Sequence, residues 1–234
     1  MTPNTPTFVN WKALMGQALV DTADVKRVSP RKNRGFSVVE LLIVVTMIGV
    51  LCAMAIPQII AQRQLSRTVA MTREILSQAR YARQQAMSQR QAFTFQYNNI
   101  TKRVSIIDHN INTGAAVLTS PGYPNNPGST VVTSVPLATG GLIASEITYG
   151  IPSGVPTGAL RDGAVMAALT NNMVNITFQP DGSVIDTTGN PLDRALFLYN
   201  SNAPRGTASA VSIMGASGRV KIWRYNANAN VYND

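Results

Sequence analysis

Apolar and polar positions divide the chain into three stretches. From Leu41 to Gln62 no residue is charged, and Leu41 to Ala55 is an almost unbroken run of Leu, Ile, Val, Met and Ala. With Phe36 to Val39 added, the run approaches the ~20 residues a helix needs to cross a bilayer core. After Pro57 the residues turn polar but stay helical in character. Gln58 to Arg90 contains no Gly or Pro and is rich in Gln, Arg, Ala, Met and Leu, all good helix formers. Ile60, Leu65, Val69, Ile75 or Leu76, Ala79, Ala82 and Ala86 recur at spacings near three and four, predicting an amphipathic stripe. One helix of ~55 residues, roughly 80 Å at 1.5 Å per residue, is predicted from Phe36 to about Arg90. Residues 36–60 form its membrane-crossing half and residues 61–90 its amphipathic continuation.

From Ala92 onward the period changes to two. Ala92–Tyr97 and Arg103–Ile107 read as strands of a hairpin turning at Asn98-Asn99. Residues 112–160, rich in Gly, Pro, Ser, Thr and Asn, predict a loop-dominated stretch or insertion with short β-like pieces such as Glu146-Ile147-Thr148-Tyr149. Asn175–Phe178, a Gln179-Pro180-Asp181-Gly182 turn and Ser183–Ile185 suggest a second hairpin. Strands at Ala195–Tyr199, Ala208–Met214 and Arg219–Tyr225 complete a β-rich domain over 91–234. The predicted class is α+β, a long N-terminal helix packed on an antiparallel sheet.

Charge refines this picture. The net charge is +9 over 234 residues, but residues 1–35 alone hold six basic and two acidic side chains. The cluster Arg31-Lys32-Asn33-Arg34 stands directly before the apolar run, where positive charge orients a membrane segment, so residues 1–35 are expected in the cytoplasm and the rest exported. One Cys and one His leave no internal disulfide framework and no Cys- or His-pair metal motif. No metal, cofactor or catalytic site is expected. Asp181, Asp186 and Asp193 lie on loops without a His or Cys partner and read as turn residues.

Glu40 breaks the apolar run. A carboxylate there costs free energy in lipid, less near an interface than at mid-bilayer. It is either an acid snorkelling at the first turn, favoured by the helix dipole, or a functional charge that finds its partner on assembly.

The segment Arg34-Gly35-Phe36-Ser37-Val38-Val39-Glu40-Leu41-Leu42 closely resembles the N-terminal signal of type IV prepilins and type II secretion pseudopilins. The resemblance covers about 30 residues. It implies a leader over 1–35, cleavage by a prepilin peptidase between Gly35 and Phe36, and N-methylation of Phe36. It also implies pairing of Glu40 with the amino terminus of a neighbouring subunit, and a helix kink at Pro57. Burying Glu40 is costly while it is unpaired and much less so once paired, so docking is favoured in one axial register. The implied partners are the peptidase, other pilin or pseudopilin subunits and an inner-membrane assembly platform. The implied location is the bacterial inner membrane, single-pass, and then the filament. Thirty-five residues make a long leader, and Met15 offers a later start. Two other export readings use Ala53-Met54-Ala55 as an ordinary signal-peptidase site or Cys52 as a lipoprotein cysteine. The first leaves Glu40 unexplained, and Gly49-Val50-Leu51 is a poor lipobox.

The succession of C-terminal strands resembles the GspH/FimT-type minor subunits over about 50 residues. That implies a low-abundance structural subunit of a type IV pilus or a type II secretion pseudopilus. A DNA-binding reading rests on Arg219, Lys221 and Arg224. Alternation puts Arg219 and Lys221 on one face with Trp223 beside them, suited to phosphates and a base. DNA-binding relatives carry Gly-Arg-x-Arg where this chain has Gly218-Arg219-Val220-Lys221. Lysine keeps the charge and loses the planar fork. The plainer reading, which we favour, is an amphipathic edge strand guarded by basic residues.

Overall fold

The computed structural model describes residues 35–234. The expected leader, with its basic cluster and Met15, lies outside the described residues except for Gly35. By its contacts the chain forms two units, Met1–Val50 and Leu51–Asp234.

Helix α1 spans Val38–Gln89. It starts where the Leu41 amide donates to the Ser37 carbonyl at 3.1 Å. Ser37 followed by Glu40 three residues later is the residue pattern of a capping box, and Glu40 is the acid of the first turn. In the first unit every described residue is exposed. Thr46 there donates to the Ile43 carbonyl at 2.8 Å and so adds no unpaired hydroxyl to the apolar run. Pro57 lies inside the helix, where it has no amide to offer the carbonyl of Ala53. The helix ends without Gly or Pro. Arg90 takes the left-handed conformation (φ 54°), and the Gln91 amide reaches back to the Ala86 carbonyl at 3.2 Å, closing the last turn as a Schellman motif does.

Within the second unit the buried face of α1 is Thr68, Met71, Thr72, Ile75, Ala79, Ala82 and Ala86. This corrects the N-terminal part of the predicted stripe, since Ile60 and Leu65 are exposed. The stripe starts at Thr68 because two threonines take apolar positions. Thr72 donates to the Thr68 carbonyl at 2.8 Å and shares a 3.0 Å hydrogen bond with Ser209, which makes its hydroxyl compatible with burial.

Two antiparallel sheets receive this face. The first has the order β3-β2-β1-β6, with β1 Phe93–Asn98, β2 Arg103–Asp108, β3 Thr130–Pro136 and β6 Met173–Phe178. The second has the order β10-β9-β8-β7-β4, with β4 Ile147–Tyr149, β7 Arg194–Asn200, β8 Ser209–Ile213, β9 Val220–Asn226 and β10 Val231–Asn233. The two-residue β5, Val165–Met166, pairs in parallel with β7. Two short helices, α2 (Gly114–Thr119) and α3 (Pro204–Thr207), lie in connections. The expected α+β class is what the structure shows.

Strand alternation sorts the cores. Phe93, Phe95 and Tyr97 of β1, Leu196 and Leu198 of β7, and Val211 and Ile213 of β8 join Ile75, Ala79, Ala82 and Ala86 in one cluster. The alternate residues Ala195, Phe197, Ala210 and Trp223 form a second cluster with Val155, Leu160 and Ala164 of the preceding connection.

Three expectations need correcting. The 112–160 stretch is more ordered than expected: beside the β-like piece at β4 it contains α2 and β3. Strand β3 extends the first sheet by pairing with β2, with one register irregularity at Ile106/Ile107. The second predicted hairpin is reduced to its turn, where the Gly182 amide donates to the Gln179 carbonyl and the Gln179 amide to the Ser183 carbonyl, both at 2.8 Å. Strand β6 pairs with β1, and residues 183–185 make only isolated bridges, to Phe178 and to Pro191, as the chain crosses to the second sheet. Finally, β9 is an edge strand over only part of its length, because β10 pairs with Arg224–Asn226.

Candidate functional site

Gly35, Phe36 and Ser37 precede the helix as irregular backbone, and all three are exposed. A peptide bond between Gly35 and Phe36 is thereby outside any helical hydrogen-bond ladder. Nothing lies within 4 Å of where a Cβ on Gly35 would stand. Glu40 follows one turn into an exposed apolar surface, flanked by Val39, Leu41 and Leu42, each more than half exposed. Among the described residues its carboxylate has no ion pair. The arrangement presents an exposed irregular segment, a nearby acid at the positive end of a helix dipole, and, among the described residues, one helix long and apolar enough to cross a membrane.

The C-terminal basic residues are not brought together as their spacing suggested. Trp223 is 2 % exposed, and its indole Nε1 donates to Ser212 Oγ at 2.9 Å. Ser212 in turn donates to Asp162 Oδ2 at 2.6 Å. The ring is therefore not available for stacking on a base. Lys221 lies 4.6 Å from the centroid of that ring and pairs with Asp234. Lysine donation holds the Asp234 carboxyl below the usual carboxylate range. Arg224 is exposed and borders a different hollow, with Arg205, Ile222 and Tyr225.

Arg219, just before β9, faces the last turns of α1. A cleft of about 440 Å³ there is lined by Arg80, Arg83, Met87, Arg219 and Val220. Arg83 is fixed in it: Nη2 donates to the Ser217 carbonyl at 2.8 Å and Nε to the Gly182 carbonyl at 3.3 Å. This approach requires Gly218, which has φ +60° and where a Cβ would collide with the Gly182 carbonyl oxygen and crowd Arg83. The helix arginines were visible in the sequence as a basic face; their convergence with Arg219 depends on where the β8–β9 turn crosses the helix.

A second arrangement that sequence reasoning missed is a buried polar chain on the other face of the first sheet. His109 Nε2 and Thr94 Oγ1 are 2.7 Å apart, Thr94 and Thr177 hydroxyls 2.7 Å, and Thr177 and the Tyr123 hydroxyl 2.8 Å. His109 is 1 % exposed, and its Nδ1 has no partner. Burial pushes the imidazole down to about 4, against the opposing pull of the Asp108 charge. Burial also raises the Tyr123 phenol, while its hydroxyl partners Thr177 and Thr94 lower it. The chain closes the 109–129 connection over the sheet. Asp181 and Asp186 are turn groups, as their positions suggested, whereas Asp193 ties its segment to a distant one. Asp181 accepts from the Ser183 hydroxyl and amide, Asp186 from the Thr188 hydroxyl and amide and the Asn190 amide, and Asp193 from the Gly215 amide at 2.6 Å.

Comparison with known proteins gives one family match: the prokaryotic N-terminal methylation motif, over residues 30–56. No curated protein matches the chain. Two crystal structures of the type IV minor pilin FimU of Pseudomonas aeruginosa, in space groups P65 and P21, resemble it at 16 % identity and a TM-score of 0.39. They cover 66 % and 69 % of this chain and 90 % and 89 % of their own. That likeness is too distant to carry function across. The chain carries the prokaryotic N-terminal methylation motif, with Gly35, Phe36 and Glu40 inside the matched segment.

Proposed function

We propose that this protein is a minor, structural subunit of a type IV pilus or type II secretion pseudopilus, of the GspH/FimT kind. A prepilin peptidase cuts between Gly35 and Phe36 and methylates the new amino group of Phe36. Residues 36–60 hold the processed subunit in the inner membrane, with the β domain exported. The assembly platform then moves it into a filament, where the apolar helix surface packs on neighbouring helices and Pro57 bends the rod.

The observation that carries this reading is Glu40, exposed in the first turn of an apolar helix four residues beyond an irregular Gly35–Phe36 junction. Cleavage creates a cation at that end. An unpaired carboxylate transferred into an apolar filament core costs several kcal/mol, and pairing with a neighbour's amino terminus offsets most of that. DNA uptake receives less support, because Trp223 is buried and Lys221 is already paired.

The test combines sequencing with assembly. The mature protein should begin at Phe36, and a bulky residue in place of Gly35 should block processing. Glu40→Ala should be processed yet enter filaments at a small fraction of the wild-type level. A mature terminus elsewhere would refute the cleavage assignment, and undiminished incorporation of Glu40→Ala would refute the pairing.

A further inference from the structure

Arg80 and Arg219 are exposed, and among the described residues neither has a side-chain hydrogen bond or an ion pair. Arg83 is half-buried between them, with donors satisfied only by the neutral carbonyls of Gly182 and Ser217. Three guanidinium groups thus border one cleft of about 440 Å³ whose remaining walls include Met87 and Val220, and no carboxylate lines it. Glu74, six residues before Arg80, accepts from Gln78 at 2.8 Å, and Asp181, next to the Gly182 that Arg83 contacts, is occupied by the hydroxyl and amide of Ser183. The site has fixed positive charge, apolar flanks and no internal counterion.

We propose that this cleft is a docking site for a carboxylate-bearing segment of a different protein subunit. The proposal rests on the reading of the chain as a filament subunit and adds the chemistry of one neighbour. Guanidinium forks match carboxylates in a two-pronged geometry, and the volume suits one or two acidic side chains with adjoining backbone. A second copy of this chain is a poor occupant. Apart from Glu40, every acidic side chain among residues 36–234 already accepts a hydrogen bond or ion pair within its own chain. The copy would also bring its own basic helix, six arginines against one glutamate over residues 61–90. A nucleic acid suits the cleft less well, because its walls carry no aromatic ring for a base and the nearby indole of Trp223 is buried.

The experiment measures fluorescence anisotropy of a labelled hexaglutamate peptide and of a short labelled DNA duplex, with the full chain in detergent at about 50 mM salt, where charge contacts are weakly screened. Arg80→Gln/Arg219→Gln is compared with Arg161→Gln/Arg224→Gln, which removes the same charge from exposed positions elsewhere. Arg83 is left intact because it fastens the fold. The cleft pair should weaken the peptide about tenfold relative to the control pair, as expected from losing charged hydrogen bonds. Arg80→Lys/Arg219→Lys should recover part of that loss. A peptide loss of less than threefold relative to the control pair overturns the proposal. So does a duplex loss equal to or greater than the peptide loss, which would make the cleft a general polyanion or DNA site. A peptide loss of threefold or more that exceeds the duplex loss supports it. Because the measurement needs no filament, failure here leaves the role of Glu40 untouched, and failure of Glu40 pairing leaves this result standing.

Discussion

His109 makes stability depend on pH in a window that the carboxylates do not share. The ring is buried beside Thr94 with its imidazole held down to about 4, against an ordinary value of 6.5. The unfolded chain takes up a proton as pH falls through 6.5, whereas the folded chain resists until about 4. The stability contributed by neutral His109 is therefore complete above pH 6.5 and is lost progressively between 6.5 and 4. At about 1.4 kcal/mol per unit of displacement, the full loss is on the order of 3 kcal/mol. Roughly 2 kcal/mol of it should appear between pH 7 and pH 5, before the aspartates titrate. For a chain of this size that lowers the melting temperature by about 4–8 °C. A chain beginning at Phe36 keeps Trp223 as its sole tryptophan, so thermal unfolding in detergent can be followed by its fluorescence. His109→Gln, which cannot be protonated, should melt lower at pH 7 and lose most of the pH 7 to pH 5 decrement. If parent and variant fall in parallel between those pH values, His109 is not the group responsible and the argument fails.

Two further outcomes follow from packing. Gly218→Ala should destabilise by about 2 kcal/mol or more, combining the cost of a left-handed non-glycine residue with a backbone collision at Gly182; denaturant midpoints will measure it, and an unchanged midpoint would contradict the close approach. Trp223→Phe should cost about 1–2 kcal/mol and leave Ser212 without its indole donor, whereas wild-type stability would mean that the Trp223–Ser212 hydrogen bond contributes nothing net.

What could be read from the sequence was whatever a local period encodes. The apolar run, the Gly-free polar continuation and the alternation in Phe93–Asn98 located α1 and the first hairpin within a residue or two. Glu40 was legible because a charge in a hydrocarbon-like segment needs a reason. The misses came from non-local choices. Thr68 and Thr72 are buried because hydroxyls can bond back to the helix or to Ser209, which a hydrophobic pattern does not register. Strand β3 lies at a sheet edge with little burial, so its alternation was weak against the surrounding Gly, Pro and Asn. Strand β10 has three residues, too few for any period. Arg219 and Lys221 were placed together because the strand was extended one residue too early: Arg219 belongs to the turn and faces the helix, while Lys221 lies over Trp223.

Arg83 holds one turn on the path between the two sheets, through Gly182, and another between β8 and β9, through Ser217. A tensile load carried along the end of α1 is therefore shared by both turns at once. Since both acceptors are uncharged, their grip should change little as salt rises.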